Sequence, residues 1–338
     1  MAFWFKMQQQ PITSCIQRTA MKLAILDDYQ NAALTTADWS ALGSDMEIHI
    51  FDKHLGDPDH VAQTLEPFDI LIAMRERTPF PGELIERLPN LRLLVTTGMR
   101  NLAIDMEAAR ANGIDVCGTA MLPYPAAEHA VALIMDLFKK ISSENSSMHE
   151  GGWQANVSEG LNGKTLGILG LGKLGTRVAH FGKAMEMDVV AWSQNLTKAH
   201  CDEVGARLVD FEKLLKASDI LSIHVLLSDR TRGLIGAKEL GLMKPSAYLV
   251  NTSRGPIVEE PALIDALKSG TIAGAGLDVY DVEPLPRDHP LRGLENAVLT
   301  GHTGFVIREF YELVYGEAVE NVSAWLKGAP ARLLNPAP

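Results

Sequence analysis

The chain has 338 residues, 46% of them apolar and 22% charged, a balance that suits about two globular domains of roughly 100–200 residues and excludes disorder, collagen or coiled coil as a description of the whole. Its 31 Lys and Arg against 42 Asp and Glu give a formal net charge of −11, which argues against a surface that wraps nucleic acid or binds an anionic membrane. Cys15, Cys117 and Cys201 are far apart and form no C-x-x-C, so neither a disulfide framework nor a structural zinc site is expected, and a reducing, cytoplasmic compartment is.

No apolar run reaches the ~18 residues that a membrane-spanning helix needs. Residues 1–20 lack a sustained apolar segment and read as a loose extension ahead of Met21, not as a secretion signal. From Met21 the pattern alternates short apolar runs with polar helical stretches. Strands are predicted at Lys22–Leu26, Met46–Phe51, Phe68–Ala73 and Leu91–Thr96. Such alternation implies a parallel sheet with helices on both faces. The block ends near residue 122, where Leu122-Pro123-Tyr124-Pro125 punctuates the chain and places Pro at a helix start. Ala127, Ala130, Val131, Ile134, Leu137, Phe138 and Ile141 then share one face at helical spacing, predicting a long amphipathic helix that ends in the polar stretch Ser142–Ser147. A second series has strands at Thr165–Leu169, Asp188–Trp192, Asp219–Val225, Ala247–Asn251, Ala273–Val279 and Ala297–Thr300. A last helix carries Phe310, Val314, Ala318 and Val322 at steps of four.

Five strand ends of the second series bear on chemistry. Gly170-Leu171-Gly172-Lys173-Leu174-Gly175 is a G-x-G-x-x-G between an apolar strand and a helix. The first Gly allows the tight turn, the second lets backbone approach a pyrophosphate, and the third lets helix and strand pack closely. Helix N-terminal amides then hold the anion. The next strand runs into Ser193-Gln194-Asn195, with no acid for the adenosine ribose and no Arg for a 2′-phosphate. The nearest cations in sequence are Lys198 and His200. Ser193 can hydrogen-bond a hydroxyl or a phosphate oxygen without bringing charge, so NAD and NADP both stay open, with a slight lean to NAD. Arg254, Glu283 and His302 follow three further apolar strands. Arg takes a carboxylate bidentately, Glu beside His favours the imidazolium, and His is the usual acid–base near neutral pH. His49, His54 and His60 are not at metal-ligand spacing, and no metal site is expected.

Together, G-L-G-K-L-G at 170–175, N-T-S-R-G at 251–255, L-D-V-Y-D-V-E-P at 277–284 and G-H-T-G at 301–304 resemble the D-isomer-specific 2-hydroxyacid dehydrogenase family, which contains phosphoglycerate dehydrogenase and glyoxylate/hydroxypyruvate reductase. The resemblance spans most of the chain. It implies an α/β protein of two doubly wound parallel-sheet domains. A Rossmann-type NAD(P)-binding domain, residues 123–303, is inserted in a flavodoxin-like substrate domain, residues 21–122 plus 304–338. It implies hydride transfer between the nicotinamide and a small anionic 2-keto or D-2-hydroxy acid. Arg254 would hold the carboxylate, His302 would act as acid and base, and Glu283 would hold and charge the histidine. Nicotinamide contacts are implied for Asp278 and the turn to Gly304, and backbone contacts near Thr252. Met74-Arg75-Glu76-Arg77-Thr78 resembles a segment that meets the far end of the substrate. Thr97-Gly98-Met99-Arg100 resembles a loop whose amides hold its carboxylate, so Arg75, Gly98 and Met99 are candidate substrate contacts. A homodimer is expected through the cofactor domain, from the apolar face of helix 126–141 and the resemblance.

Two departures stand out: Gly301 where Pro is common, and Leu226 in place of Pro in H-x-P-L-T. The first is expected to loosen the His302 turn and the second to shift a loop over the cofactor. A dinucleotide-sensing corepressor uses the same architecture, but the acidic charge and the short tail after Trp325 speak against it. A formate dehydrogenase of this fold would need a pocket for a one-carbon ion.

Overall fold

A computed structural model describes residues 20–336; the extension expected at the N-terminus lies outside them except for Ala20. Two compact units result: the chain up to Ala120 together with the chain from Val314 onward, and Met121–Leu313.

In the first unit, β1 (Met21–Ile25), β2 (Met46–Ile50), β3 (Ile70–Ala73), β4 (Leu93–Thr96) and β5 (Asp115–Cys117) form a parallel sheet in the order β2-β1-β3-β4-β5. β3 and β4 are buried along their whole length, as apolar strands covered on both faces must be. β5 was not anticipated. Three residues carry too little pattern, and its outer edge is satisfied from far away: Val116 N–H donates to Asn335 Oδ1 at 2.8 Å and Leu334 N–H to Val116 O at 2.7 Å.

In the second unit, β6 (Thr165–Leu169), β7 (Asp188–Trp192), β8 (Arg207–Leu208), β9 (Ile220–Ile223), β10 (Tyr248–Asn251), β11 (Gly274–Leu277) and β12 (Ala297–Leu299) form a parallel sheet in the order β12-β11-β10-β9-β6-β7-β8. The order reverses at β6, and the crevice past the carboxyl ends of strands at such a switch point is where ligands of open α/β sheets bind. Strand alternation feeds two cores, one on each face. Leu221, Leu249 and Ala275 join one; Ile168, Ile220 and Val250 join the other, together with Ala130, Ile134 and Leu137 of the helix Pro125–Lys139. That helix lies close on the sheet because Gly276 has no side chain. A Cβ there would come within 3.1 Å of Leu133 Cβ.

Three observations bear on the expectations from sequence. Most of the apolar face of this helix packs on its own sheet, with Ala130 and Ile134 at 0% exposure, while Ile141 is 53% exposed. The polar stretch 142–147 does not end helical structure. Lys140 turns through φ +55, and a second helix runs from Ile141 to His149. Asp136 starts it by accepting Ser142 N–H at 2.7 Å and the Ser142 hydroxyl at 2.5 Å. The second compact unit runs to Leu313. Gly304 N–H is held by Asp278 at 2.8 Å, and the Phe305 ring stands edge-on between His302 and Phe310.

Candidate active site

β6 runs into the turn Gly170–Gly172 and the helix Lys173–Ala184. Gly170 has φ +103, and a Cβ there would meet Val225 N at 2.8 Å. A Cβ on Gly175 would lie 2.1 Å from Gly170 O, which would force the helix off the strand end. Gly172 faces open space, with no atom within 4 Å of the same position. Among the described residues, the N–H groups of Leu171 and Gly172 meet no acceptor. Lys173 is exposed and Leu174 half-buried. Two glycines thus close the turn, the third leaves room, and free amides point out of it, which is a cradle that fits a pyrophosphate.

At the end of β7, Ser193 and Gln194 line a depression of about 500 Å³. The cations named from sequence are committed elsewhere. Lys198 Nζ lies 2.6 Å from Asp202 Oδ2, and His200 Nε2 lies 2.9 Å from Leu171 O. Lys213 and Arg207 line the depression instead, with Asp210 beside them. Arg207 is paired with Asp188 at 2.5 Å. Among the described residues, Lys213 makes no ion pair. Sequence reading missed it because the two-residue β8, exposed at both positions, has no strand pattern.

β10, β11 and β12 are parallel neighbours in register, Asn251 beside Leu277 and Leu277 beside Leu299. The segments after them therefore share one edge. The buried Asn251 side chain shapes the first, donating to Arg254 O at 2.9 Å and accepting Ser253 N–H at 3.0 Å. Thr252 and Arg254 are half-buried. A Cβ on Gly255 would lie 2.1 Å from the Tyr280 carbonyl carbon, so the Arg254 loop rests on the backbone three residues before Glu283. His302 Nδ1 lies 2.5 Å from Glu283 Oε2, whose Oε1 accepts Tyr280 N–H at 2.9 Å. Among the described residues, His302 Nε2 has no hydrogen-bond partner. The carboxylate holds one ring nitrogen and leaves the other for a proton to move.

Asp278 organises this turn. Its Oδ1 accepts the Thr300 hydroxyl at 2.6 Å and Thr303 N–H at 2.7 Å, its Oδ2 accepts Gly304 N–H at 2.8 Å, and its carbonyl takes His302 N–H at 2.7 Å. Burial pushes this carboxyl up, but hydrogen bonds from His129, Thr300 and Thr303 outweigh that and hold it below the usual range. The side chain is 1% exposed. These bonds are made with His302 at φ +53, beside Gly301, which has open space around it. Leu226, the other departure, is exposed, and its carbonyl accepts the Thr231 hydroxyl at 2.6 Å. Burial pushes the nearby His224 imidazole down to about 4.

The other candidates belong to the first unit, at the carboxyl edge of its sheet. Arg75, at φ +54, donates its N–H to Thr97 Oγ1 at 2.8 Å and has its guanidinium 3.5 Å from Glu76. The Gly98 amide, expected to face an anion, donates to Thr119 Oγ1 at 3.0 Å. Among the described residues, the amides left open in this loop are those of Met99 and Arg100.

The sequence profile described as D-isomer specific 2-hydroxyacid dehydrogenase, NAD binding domain, matches residues 131–304. A hydroxypyruvate reductase of Blautia hydrogenotrophica is 31% identical over 331 residues, covering 93% of this chain and 100% of that protein. A glyoxylate reductase of Thermococcus litoralis is 39% identical over 264 residues, covering 75% of this chain and 80% of that one. Among solved structures, a phosphoglycerate oxidoreductase from Vibrio cholerae superposes with a TM-score of 0.87 at 34% identity, covering 91% of this chain and 100% of that one.

Proposed function

The chain belongs to the D-isomer specific 2-hydroxyacid dehydrogenases, and on that premise we propose that it reduces a small 2-keto acid of the hydroxypyruvate or glyoxylate type to the D-2-hydroxy acid, or runs the reverse oxidation. The observation that carries this reading is the His302–Glu283 pair at 2.5 Å, on the carboxyl edge of the sheet that also bears the glycine cradle. A reduced nicotinamide cofactor, when bound, supplies the hydride.

His302 Nε2 gives its proton to the substrate oxygen as the carbonyl carbon is reduced, and takes it back in the reverse direction. Glu283 keeps the proton on Nδ1 and balances the charge on the ring. Arg254 holds the substrate carboxylate, which fixes the face of the carbonyl presented to the hydride. The cradle Gly170–Gly175, with Lys173 and Leu174 on its helix, holds the pyrophosphate. Thr252, Asp278 and Gly304 shape the backbone beside the nicotinamide. For Arg75, Gly98 and Met99 we retain a substrate role, with the loop amides of Met99 and Arg100 as its donors. At the ribose, Ser193 brings no charge and Lys213 stands beside Asp210, so NADH and NADPH are both used, NADH slightly better. The chain forms a homodimer through the cofactor domain, where Met148, Trp153 and Val157, close in sequence, are 50, 75 and 96% exposed and offer apolar surface to a second copy. A monomeric mass by light scattering would contradict that assignment.

The test is oxidation of NADH and NADPH against a panel of 2-keto acids, with His302→Gln alongside. The variant should retain cofactor binding and lose ~10²–10⁴ in kcat, the usual worth of a general acid–base. Unchanged kcat would remove His302 from this role.

A further inference from the structure

His129 stands on the helix Pro125–Lys139, behind the His302 turn. Its Nε2 lies 2.8 Å from Thr300 Oγ1 and 3.3 Å from Asp278 Oδ1. The Thr300 hydroxyl has one hydrogen and gives it to Asp278 at 2.6 Å. Toward His129 it can only accept, so the histidine carries its proton on Nε2 and donates to hydroxyl and carboxylate together. The helix cannot yield, since Ala130 and Ile134 beside it are wholly buried. The turn also sits directly on it: a Cβ on Gly304 would be 3.6 Å from both Ala126 Cα and His129 Cβ.

We propose that His129 is a positioning residue for the acid–base pair. It clamps Thr300 and Asp278, which hold the backbone of residues 300–304 in the one conformation that keeps His302 on Glu283. This inference rests on the reading of His302 as acid and base. The left-handed conformation of His302, φ +53, is one that residues other than glycine seldom adopt, and it persists only where its surroundings over-determine it. His129 closes that set of constraints from outside the sheet. Two histidine–carboxylate pairs, His129–Asp278 and His302–Glu283, are thus joined in series by one short turn. Tyr280 faces the same turn and donates its hydroxyl to Thr300 O at 2.9 Å; burial pushes that phenol well up, so it is a neutral donor throughout. No signal in the sequence pointed to His129, because six strands intervene before Asp278 and seven before Thr300.

The experiment compares His129→Gln, which keeps an N–H donor at the reach of Nε2, with His129→Leu, which keeps only bulk. In the full-length enzyme, His129→Gln should stay within about threefold of wild type in kcat, whereas His129→Leu should lose about 10–100-fold, with NADH Kd and substrate KM moving less than about threefold in either. The ¹⁵N signal of His302 Nδ1, which reports its bond to Glu283, should move in His129→Leu and not in His129→Gln. Equal losses in both variants would reduce His129 to a packing residue and overturn the proposal. So would an unmoved His302 signal in His129→Leu. If wild type reduced no 2-keto acid, the functional reading would fail while the nuclear resonance arm still decided the role of His129.

Discussion

Replacing Asp278 by Asn tests how the catalytic turn is built. The substitution is nearly isosteric, so packing stays and only the acceptor pattern changes. In the native chain Oδ1 faces Thr300, Thr303 and His129, and Oδ2 faces Gly304 N–H. An Asn keeps its oxygen on the crowded side and must then set its NH₂ against the N–H of Gly304. One charge-assisted hydrogen bond is lost, worth roughly 1.5–3 kcal/mol, and a buried donor is left unpaired at roughly 1–3 kcal/mol. With partial relaxation, a net loss of about 2–4 kcal/mol is expected. Because the turn carries His302, kcat should also fall by about 10²-fold, the scale of a misplacement near 1 Å. The sign of the pH effect follows from the folded carboxyl lying below its ordinary 3.8. Its stabilisation is complete above that value and is lost as pH falls through the lower folded value, so the acid-side slope of stability should be shallower in Asp278→Asn. Urea unfolding at pH 7 and along an acid series, with kcat and NADH Kd, measures all three. A variant within about 0.5 kcal/mol of wild type with normal kcat would refute this account of the turn.

Gly175→Ala would place a Cβ 2.1 Å from Gly170 O; the helix must move off the strand end, and NADH Kd measured by fluorescence should rise at least about tenfold, or 1.4 kcal/mol. Ser193→Asp should turn the enzyme against NADPH by like-charge repulsion, while Gln194→Arg should favour NADPH by about 1.5–3 kcal/mol; a wild-type preference above about a thousandfold, roughly 4 kcal/mol, would mean that residues elsewhere, Lys213 first, set the choice. His224 is held neutral, down to about 4 from an ordinary 6.5, so the unfolded chain binds its proton first. Stability should therefore fall between pH 6.5 and about 4, by about 1–3 kcal/mol once the partial exposure of the ring is allowed for, and His224→Gln should flatten that window in an unfolding series.

Much of this architecture was legible because its strands are short apolar runs with obligatory breaks. Thr165–Leu169 and Asp188–Trp192 were read to the residue, since the first lies between Lys164 and Gly170 and the second opens on a charge and runs into the polar Ser193. β5 and β8 escaped because three and two residues carry no period, and their place is set by partners chosen in three dimensions. The helix Ile141–His149 escaped because Ser and Asn read as terminators; only the Asp136 carboxylate turns that stretch into a helix start. At the site, Gly170, Gly172 and Gly175 announced themselves because each answers a steric demand of one turn. Glu283 and His302 were named as a pair, and their separation of 2.5 Å follows from adjacent parallel strands ending at one edge. The partners of Asp278 could not be read, because two are backbone N–H groups, which every residue but Pro possesses, and the side chains of His129 and Thr300 lie far from it in sequence. Lys198 and His200 were near Ser193 in sequence yet turned to Asp202 and Leu171, whereas Lys213 reached the depression through β8.

The central claim is direct hydride transfer to C2 of a 2-keto acid on one face, with His302 supplying the proton. It is tested most directly by incubating the enzyme with glyoxylate or hydroxypyruvate and reduced cofactor deuterated at nicotinamide C4, then analysing the product by mass spectrometry and chiral chromatography. Deuterium should appear at C2 of the 2-hydroxy acid and not in water, the hydroxypyruvate product should be the D-isomer, and His302→Gln should give the same product ~10²–10⁴-fold more slowly. Deuterium released to solvent, an L-product, or no transfer to any 2-keto acid would contradict the account.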